Sequence, residues 1–251
     1  QQMVDQQAQR LTDALRYSPG IFAEPLGTYS AGASGSGIKQ RGFGTSEFVD
    51  GLMTKSQSAT ETAFLDRIDV VNGPSSVMYG QTTPGGMIGV SLKKPTATPL
   101  HQATLGFGNW GRYEATLDVS DRITKSGNVR YRIAAIGVTQ GTQMNNVNYR
   151  RVGVLPSITW DIDPRTSLSL IGEYMYTPEI GVAQTAYSLY GTAFPGTKGY
   201  LSRSTFLGTP SFNDNRATDA MFEYQFKHEF NKYITFVQNF RWEDSWGSTQ
   251  Y

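Results

Sequence analysis

The sequence predicts a small α+β module followed by an antiparallel β-barrel that crosses a membrane, the barrel being present only in part. Three observations predict it. Near residue 96 an irregular, Gly-rich stretch gives way to strict alternation of apolar and polar residues. The alternating runs are longer than the strands of a soluble sandwich. Short connections with turn chemistry alternate with long ones, as in barrels with short turns at one end and long loops at the other.

Composition bounds the alternatives. The chain has 251 residues, 22 Lys+Arg against 21 Asp+Glu, two His, no Cys and 27 Gly. A net charge of +1 gives no long-range field to gather nucleic acid, so no such partner is expected. Without Cys there is no disulfide framework, thiolate metal site or thiol nucleophile, and two His make a His-rich metal centre a poor prospect. No apolar run approaches the ~18 residues of a helical membrane span. The start, Gln1-Gln2-Met3-Val4-Asp5, has neither the basic nor the apolar region of an export signal.

In the first module, Val4, Ala8, Leu11 and Leu15 fall at helical spacing and predict a helix over roughly residues 4–16, stopped by Ser18-Pro19-Gly20. A Gly/Ser-rich stretch from Gly27 to Gly44 contains a short strand at Ile38–Arg41. Phe48–Leu52 reads as a strand entering a turn at Asp50-Gly51. Arg67–Val71 and Met87–Leu92 read as two more strands, separated by turns at Asn72-Gly73-Pro74 and Pro84-Gly85-Gly86. The module is expected over residues 1–96 and the barrel part over 97–251.

In the second region Tyr113, Ala115, Leu117 and Val119 alternate with Arg112, Glu114, Thr116, Asp118 and Ser120. Ala220, Phe222, Tyr224 and Phe226 alternate in the same way with Met221, Glu223, Gln225 and Lys227. Similar runs surround Ile133, Val154, Leu170 and Phe236, giving about seven strands of roughly 9–15 residues. A strand of ~11 residues rises about 36 Å, or about 25 Å when tilted, which is the height of the apolar band of a membrane barrel. The connections at Asp161–Arg165 and Asn231-Lys232 are short, whereas those around Gly141–Asn148 and from Thr177 to Asn215 are longer, which places the longer ones outside the cell. Seven strands would leave two unpaired edges in lipid, so a longer barrel is expected. Trp160, Tyr174, Tyr176 and Trp242 suit an interfacial belt, and Arg130, Arg132, Glu173 and Glu223 suit a wet lumen. Gly106–Gly111 fits the dinucleotide pattern formally, but it lies between two strands and reads as a hairpin.

Several runs resemble the plug of TonB-dependent siderophore receptors: Asp13–Gly20, Ile38–Phe43, Val49–Leu52, the long stretch Phe64–Gly80, and Pro84–Ile88 through Lys93-Lys94-Pro95. Ile158-Thr159-Trp160 and Lys227–Asn231 look most like ferrichrome-type receptors. The resemblance implies an α+β plug followed by about seven of 22 strands of an outer-membrane barrel. It implies a receptor, not an enzyme, for a ferric siderophore of hydroxamate type. The partners it implies are TonB with ExbB/ExbD, recruited through an N-terminal segment missing here, and outer-membrane lipid around a monomer. No cofactor is expected, iron being cargo.

By the same resemblance Arg41 reaches the ligand, since its fork offers five fixed donors to an oxygen-rich chelate. Lys55 corresponds to a second plug contact. In the long loop Gln184, Tyr187 and Tyr190 are the ligand candidates, although the family's aromatics after Pro178–Gly181 are replaced here by Val182-Ala183-Gln184. The family usually carries Arg before Gly-Pro where this chain has Asn72, so one charge of the plug–barrel latch is missing and Arg67 is expected to take more of that role. A receptor for another bulky ligand, such as a cobalamin or a glycan, remains open, as does a soluble all-β binding domain. A catalytic barrel would need an acid–base constellation on its loops, and the two His lie in strands.

Overall fold

The computed structural model describes residues 3, 6, 8–23, 38–54, 61–73, 80, 82–181, 189–211 and 214–248. Most of the Gly/Ser-rich stretch, together with Lys55, Gln184 and Tyr187, lies outside them.

Helix α1 spans Leu11–Leu15 and buries Leu11, Ala14 and Leu15. It is shorter than the spacing predicts because Arg10 is extended (φ −142°, ψ 161°) and caps nothing with its side chain. The helix ends at Leu15, whose carbonyl accepts from the Ser18 amide, and the expected Ser-Pro-Gly makes the next turn, with Gly20 at φ 76° and the Ile21 amide donating to the Ser18 carbonyl. Strands β1 (Ile21–Phe22), β2 (Lys39–Gln40) and β3 (Phe43–Gly44) form a small antiparallel sheet. Arg41 is thus not the end of a strand, as the sequence suggests, but the first of two turn residues between β2 and β3. Strands β4 (Ser46–Val49), β5 (Leu52–Met53), β6 (Leu65–Asn72) and β7 (Gly86–Leu92) form a second sheet in the order β5-β4-β7-β6, with β4 and β7 parallel. Asp50-Gly51 makes the tight β4–β5 turn with positive φ at both residues.

The rest of the chain builds one meander: β8 (Leu100–Gly108), β9 (Arg112–Arg122), β10 (Val129–Gly141), β11 (Asn148–Asp163), β12 (Thr166–Ile180), β13 (Arg216–Glu229) and β14 (Thr235–Ser248). All neighbours are antiparallel, in sequence order, and β8 and β14 are the edges. The Gly106–Gly111 segment is the β8–β9 hairpin, with Trp110 at φ 62°. At one end of the sheet lie the turns 123–128, 164–165 and 230–234. At the other lie 109–111, 142–147 and the long connection 181–215. The 142–147 and 181–215 connections meet where the Asn145 amide donates to the Ser204 carbonyl.

The two faces of this sheet are inverted relative to a soluble protein. Phe222 is 44% exposed while its neighbour Glu223 is 0% exposed. Leu117, Ile133, Ile158, Trp160, Leu170, Tyr174, Phe240 and Trp242 also stand outward and exposed, and Tyr224 stacks on Phe240 with centroids 5.6 Å apart. So broad an apolar exterior belongs in lipid and excludes the soluble-domain alternative. On the inner face Ala134, Ile136, Leu155, Ile171, Met175 and Met221 share one core with Leu11, Leu15, Ile38, Val49, Phe64, Ile88 and Leu92 of the first module. Phe64 is fully buried at its centre, and Gly153 leaves the room: a Cβ there would stand 3.2 Å from Phe64 Cζ.

Candidate ligand site and the ties between plug and barrel

Arg41 and Gly42 form a two-residue hairpin turn with φ 50° and 85°. Glycine adopts such angles freely, whereas an arginine held there is strained and needs outside support. Part of the support is the Arg41 amide, which donates to the Gly20 carbonyl at 2.8 Å. The side chain then runs over two residues that lack one. Ideal Cβ atoms at Gly20 and Gly73 would touch Arg41 Cγ at 3.8 Å and a guanidinium nitrogen at 3.7 Å. Arg41 is exposed and makes no ion pair among the described residues. It sits where β2, the end of β6 and the start of β7 meet, at the end of the β6–β7 pair away from Lys93 and Lys94. Chemically this is a five-donor cation with no ion-pair partner among the described residues, suited to a ligand with several oxygens.

The other expected residues fall differently. Lys55, Gln184 and Tyr187 lie outside the described residues. Tyr190 is 68% exposed in the long connection, bridged to Phe194 with their rings 6.4 Å apart. Near the base of that connection a cavity of about 240 Å³ is lined by Asn146, Asn148, Glu179, Gly181 and Asn215. Its one carboxylate is already engaged, by Arg150 at 2.7 Å and Asn148 at 3.2 Å. Arg67 is exposed and pairs with Asp69, two residues along its own strand, at 2.8 Å.

The ties that join plug to barrel involve residues that sequence reasoning did not assemble. Arg151 on β11 pairs with Glu61 at 2.8 Å, both largely buried. Arg241 on β14 pairs with Glu223 on β13 at 2.6 Å and donates to the carbonyls of Val49 and, at 3.4 Å, Leu52. Beside it the Thr54 hydroxyl donates to Glu243 at 2.8 Å. Where the chain leaves the plug, Asp118 receives a two-pronged bond from Arg132 at 2.8 Å and a third contact from Lys93 at 2.7 Å. Arg132 also donates to the Lys94 carbonyl at 2.9 Å. The signal was present as charges on the buried face of alternating strands, but pairing them requires the register of the whole meander.

Glu47 on β4 is the opposite case. It is buried, and neither carboxylate oxygen has a hydrogen-bond partner among the described residues. Desolvation pushes its pKa up to about 7.

A plug packed on the inner face of a membrane meander and tied to it by buried charges is an arrangement similar to that of TonB-dependent receptors. Residues 1–87 match the TonB-dependent Receptor Plug Domain. Among similar proteins, the Ferrioxamine receptor of Yersinia enterocolitica is 32% identical over 250 residues, 95% of this chain and 34% of that protein. The Ferrichrome outer membrane transporter/phage receptor of Escherichia coli K12 is 26% identical over 98% of this chain and 34% of its own length. Among solved structures, the closed form of the ferric-catecholate import receptor Fiu from Escherichia coli K12 superposes with a TM-score of 0.79 at 26% identity, covering 97% of this chain and 35% of that one. The siderophore receptor PiuA of Acinetobacter baumannii shares the fold with a TM-score of 0.80 at 23% identity, covering 98% and 35%. The chain spans about a third of the length of the curated relatives it matches. Such receptors are outer-membrane β-barrels, the place that the outward apolar face requires.

Proposed function

We propose that the receptor containing this chain imports a ferric siderophore of hydroxamate type across the outer membrane. The single observation that carries the reading is Arg41, an exposed arginine without an ion-pair partner among the described residues, on a strained turn at the end of the plug away from Lys93 and Lys94. The likeness to a ferrioxamine receptor and a ferrichrome transporter supports the hydroxamate class. The chelate would bind between this turn and the long external connection, where Tyr190 is exposed and where Lys55, Gln184 and Tyr187 are the remaining candidates.

Transport then demands work. The plug fills the inner face of the sheet, and moving it breaks the Arg151–Glu61, Arg241–carbonyl and Lys93–Asp118 contacts. Energy delivered by TonB with ExbB/ExbD, pulling on a segment N-terminal to the plug, would supply that work. The receptor would act as a monomer in outer-membrane lipid, with iron present only as cargo and no bond made or broken.

The test is uptake of radiolabelled iron by cells whose only siderophore receptor is the full-length protein. Ferrioxamine B and ferrichrome should be taken up in a TonB-dependent way. Uptake confined to a catecholate chelate would correct the ligand class. Binding only of a cobalamin or a glycan would overturn the siderophore reading.

A further inference from the structure

We infer that Gln40 and Asn72 are positioning residues that aim the Arg41 guanidinium at an anionic oxygen of the ligand, an inference that rests on the proposed reading of Arg41 as a ligand contact. Asn72 stands where the family resemblance leads one to expect arginine, and the structure shows what it does instead. Its Oδ1 accepts from Gln40 Nε2 at 2.8 Å, and the same Nε2 donates to the Val71 carbonyl at 3.0 Å. The last residue of β2 is thereby clamped to the last residues of β6, and the next residue is Arg41.

The clamp closes because the facing backbone carries no side chains. A Cβ at Gly85 would collide with the Gln40 carbonyl, and one at Gly86 would collide with the Val71 carbonyl and stand 2.8 Å from Gln40 Nε2. The Gly73 amide donates to the Gly85 carbonyl at 3.0 Å, joining the end of β6 to the start of β7 beside the clamp. With β2 held here and the Arg41 amide held by Gly20, the chain leaves Gln40 through the left-handed turn, and the arginine lies along Gly20 and Gly73.

Gln40 is a poor choice for packing alone. It is 0% exposed, and its Oε1 is buried with no hydrogen-bond partner among the described residues. An orphaned buried acceptor is costly, whereas an apolar residue of the same shape would leave none. What the amide offers that an apolar side chain cannot is direction: two hydrogen bonds that fix the strand end next to a strained arginine.

The experiment uses the full-length receptor with ferrioxamine B and ferrichrome as probes, in Gln40→Met, Asn72→Ala, Arg41→Ala and the Gln40→Met/Arg41→Ala pair. Asn72 is exposed, so its truncation keeps the fold even if the Gln40 variant does not. Without ligand, either positioning variant should speed amide exchange at Arg41 about tenfold, while β7 stays protected. Probe affinity should fall about tenfold in each, and Gln40→Met should cost nothing further once Arg41 is alanine. Losses that multiply in the double variant, unchanged exchange at Arg41, or exchange that rises equally along β7 would each overturn the inference. If the wild-type receptor binds neither probe, the hydroxamate reading fails, and the exchange at Arg41 still decides whether Gln40 and Asn72 hold the turn.

Discussion

The two ends of the plug use charge in opposite ways. Toward the barrel, buried charges meet in pairs: Glu61 with Arg151, Glu223 with Arg241, and Asp118 with Arg132 and Lys93 together. At the turn between β2 and β3, Arg41 is exposed, lies along Gly20 and Gly73, and has no ion-pair partner among the described residues. The lesson is that a plug needs both a grip and a reader. Buried ion pairs fix position because separating them strands a charge, and an exposed arginine is available to a ligand because nothing in the described chain competes for it.

The largest break in this contrast comes from Arg241. Replacing it with methionine leaves Glu223 buried without its cation and frees two plug carbonyls. The expected loss is about 3–5 kcal/mol of plug–barrel stability, read as hydrogen exchange along β4 and β5 of the full-length receptor.

Glu47 sharpens the contrast from the other side, as a buried carboxyl with no hydrogen-bond partner among the described residues. Its pKa of about 7 in the folded plug lies above the ordinary 4.5, so the folded state keeps a proton that the unfolded chain gives up. Stability is therefore full below about pH 4.5, falls as pH rises toward 7, and levels off above it. The drop should be about 3 kcal/mol across that window in denaturant melts of the receptor, and Glu47→Gln should flatten it. Next in size, Leu170→Arg on the outward face should cost about 2 kcal/mol or more of barrel stability in bilayers, because that face meets lipid. An arginine at neighbouring Ser169, on the inner face beside Thr159, should cost less.

Much of this was legible in the sequence. Period-two alternation gave the strands, and the inverted burial of Phe222 and Glu223 followed from reading one face as lipid and the other as lumen. The Asp50-Gly51 turn and the β8–β9 hairpin also followed from local chemistry. The helix over residues 4–16 did not survive because periodicity cannot show that Arg10 is extended. Arg41 was picked out by resemblance, yet its place in a turn was hidden, since arginine is rare at positive φ and the contacts that hold it there come from residues distant in sequence. Arg241 was invisible as a tie because its plug partners are backbone carbonyls, which no side-chain pattern announces. Glu47 was hidden because Ser46-Glu47-Phe48-Val49 carries no mark that all but the first of these side chains are buried.

The most direct test sets grip against reader in one protein. Arg41→Ala and Arg151→Met are compared in the full-length receptor, each for ferric hydroxamate affinity and for hydrogen exchange in the plug. Arg41→Ala should weaken binding by about ten- to a hundredfold, the worth of hydrogen bonds from a charged donor, with plug protection unchanged. Arg151→Met should speed exchange around Glu61 while leaving affinity within about twofold. If both variants lose affinity and protection together, the plug does not divide into a gripping end and a reading end, and the account is wrong.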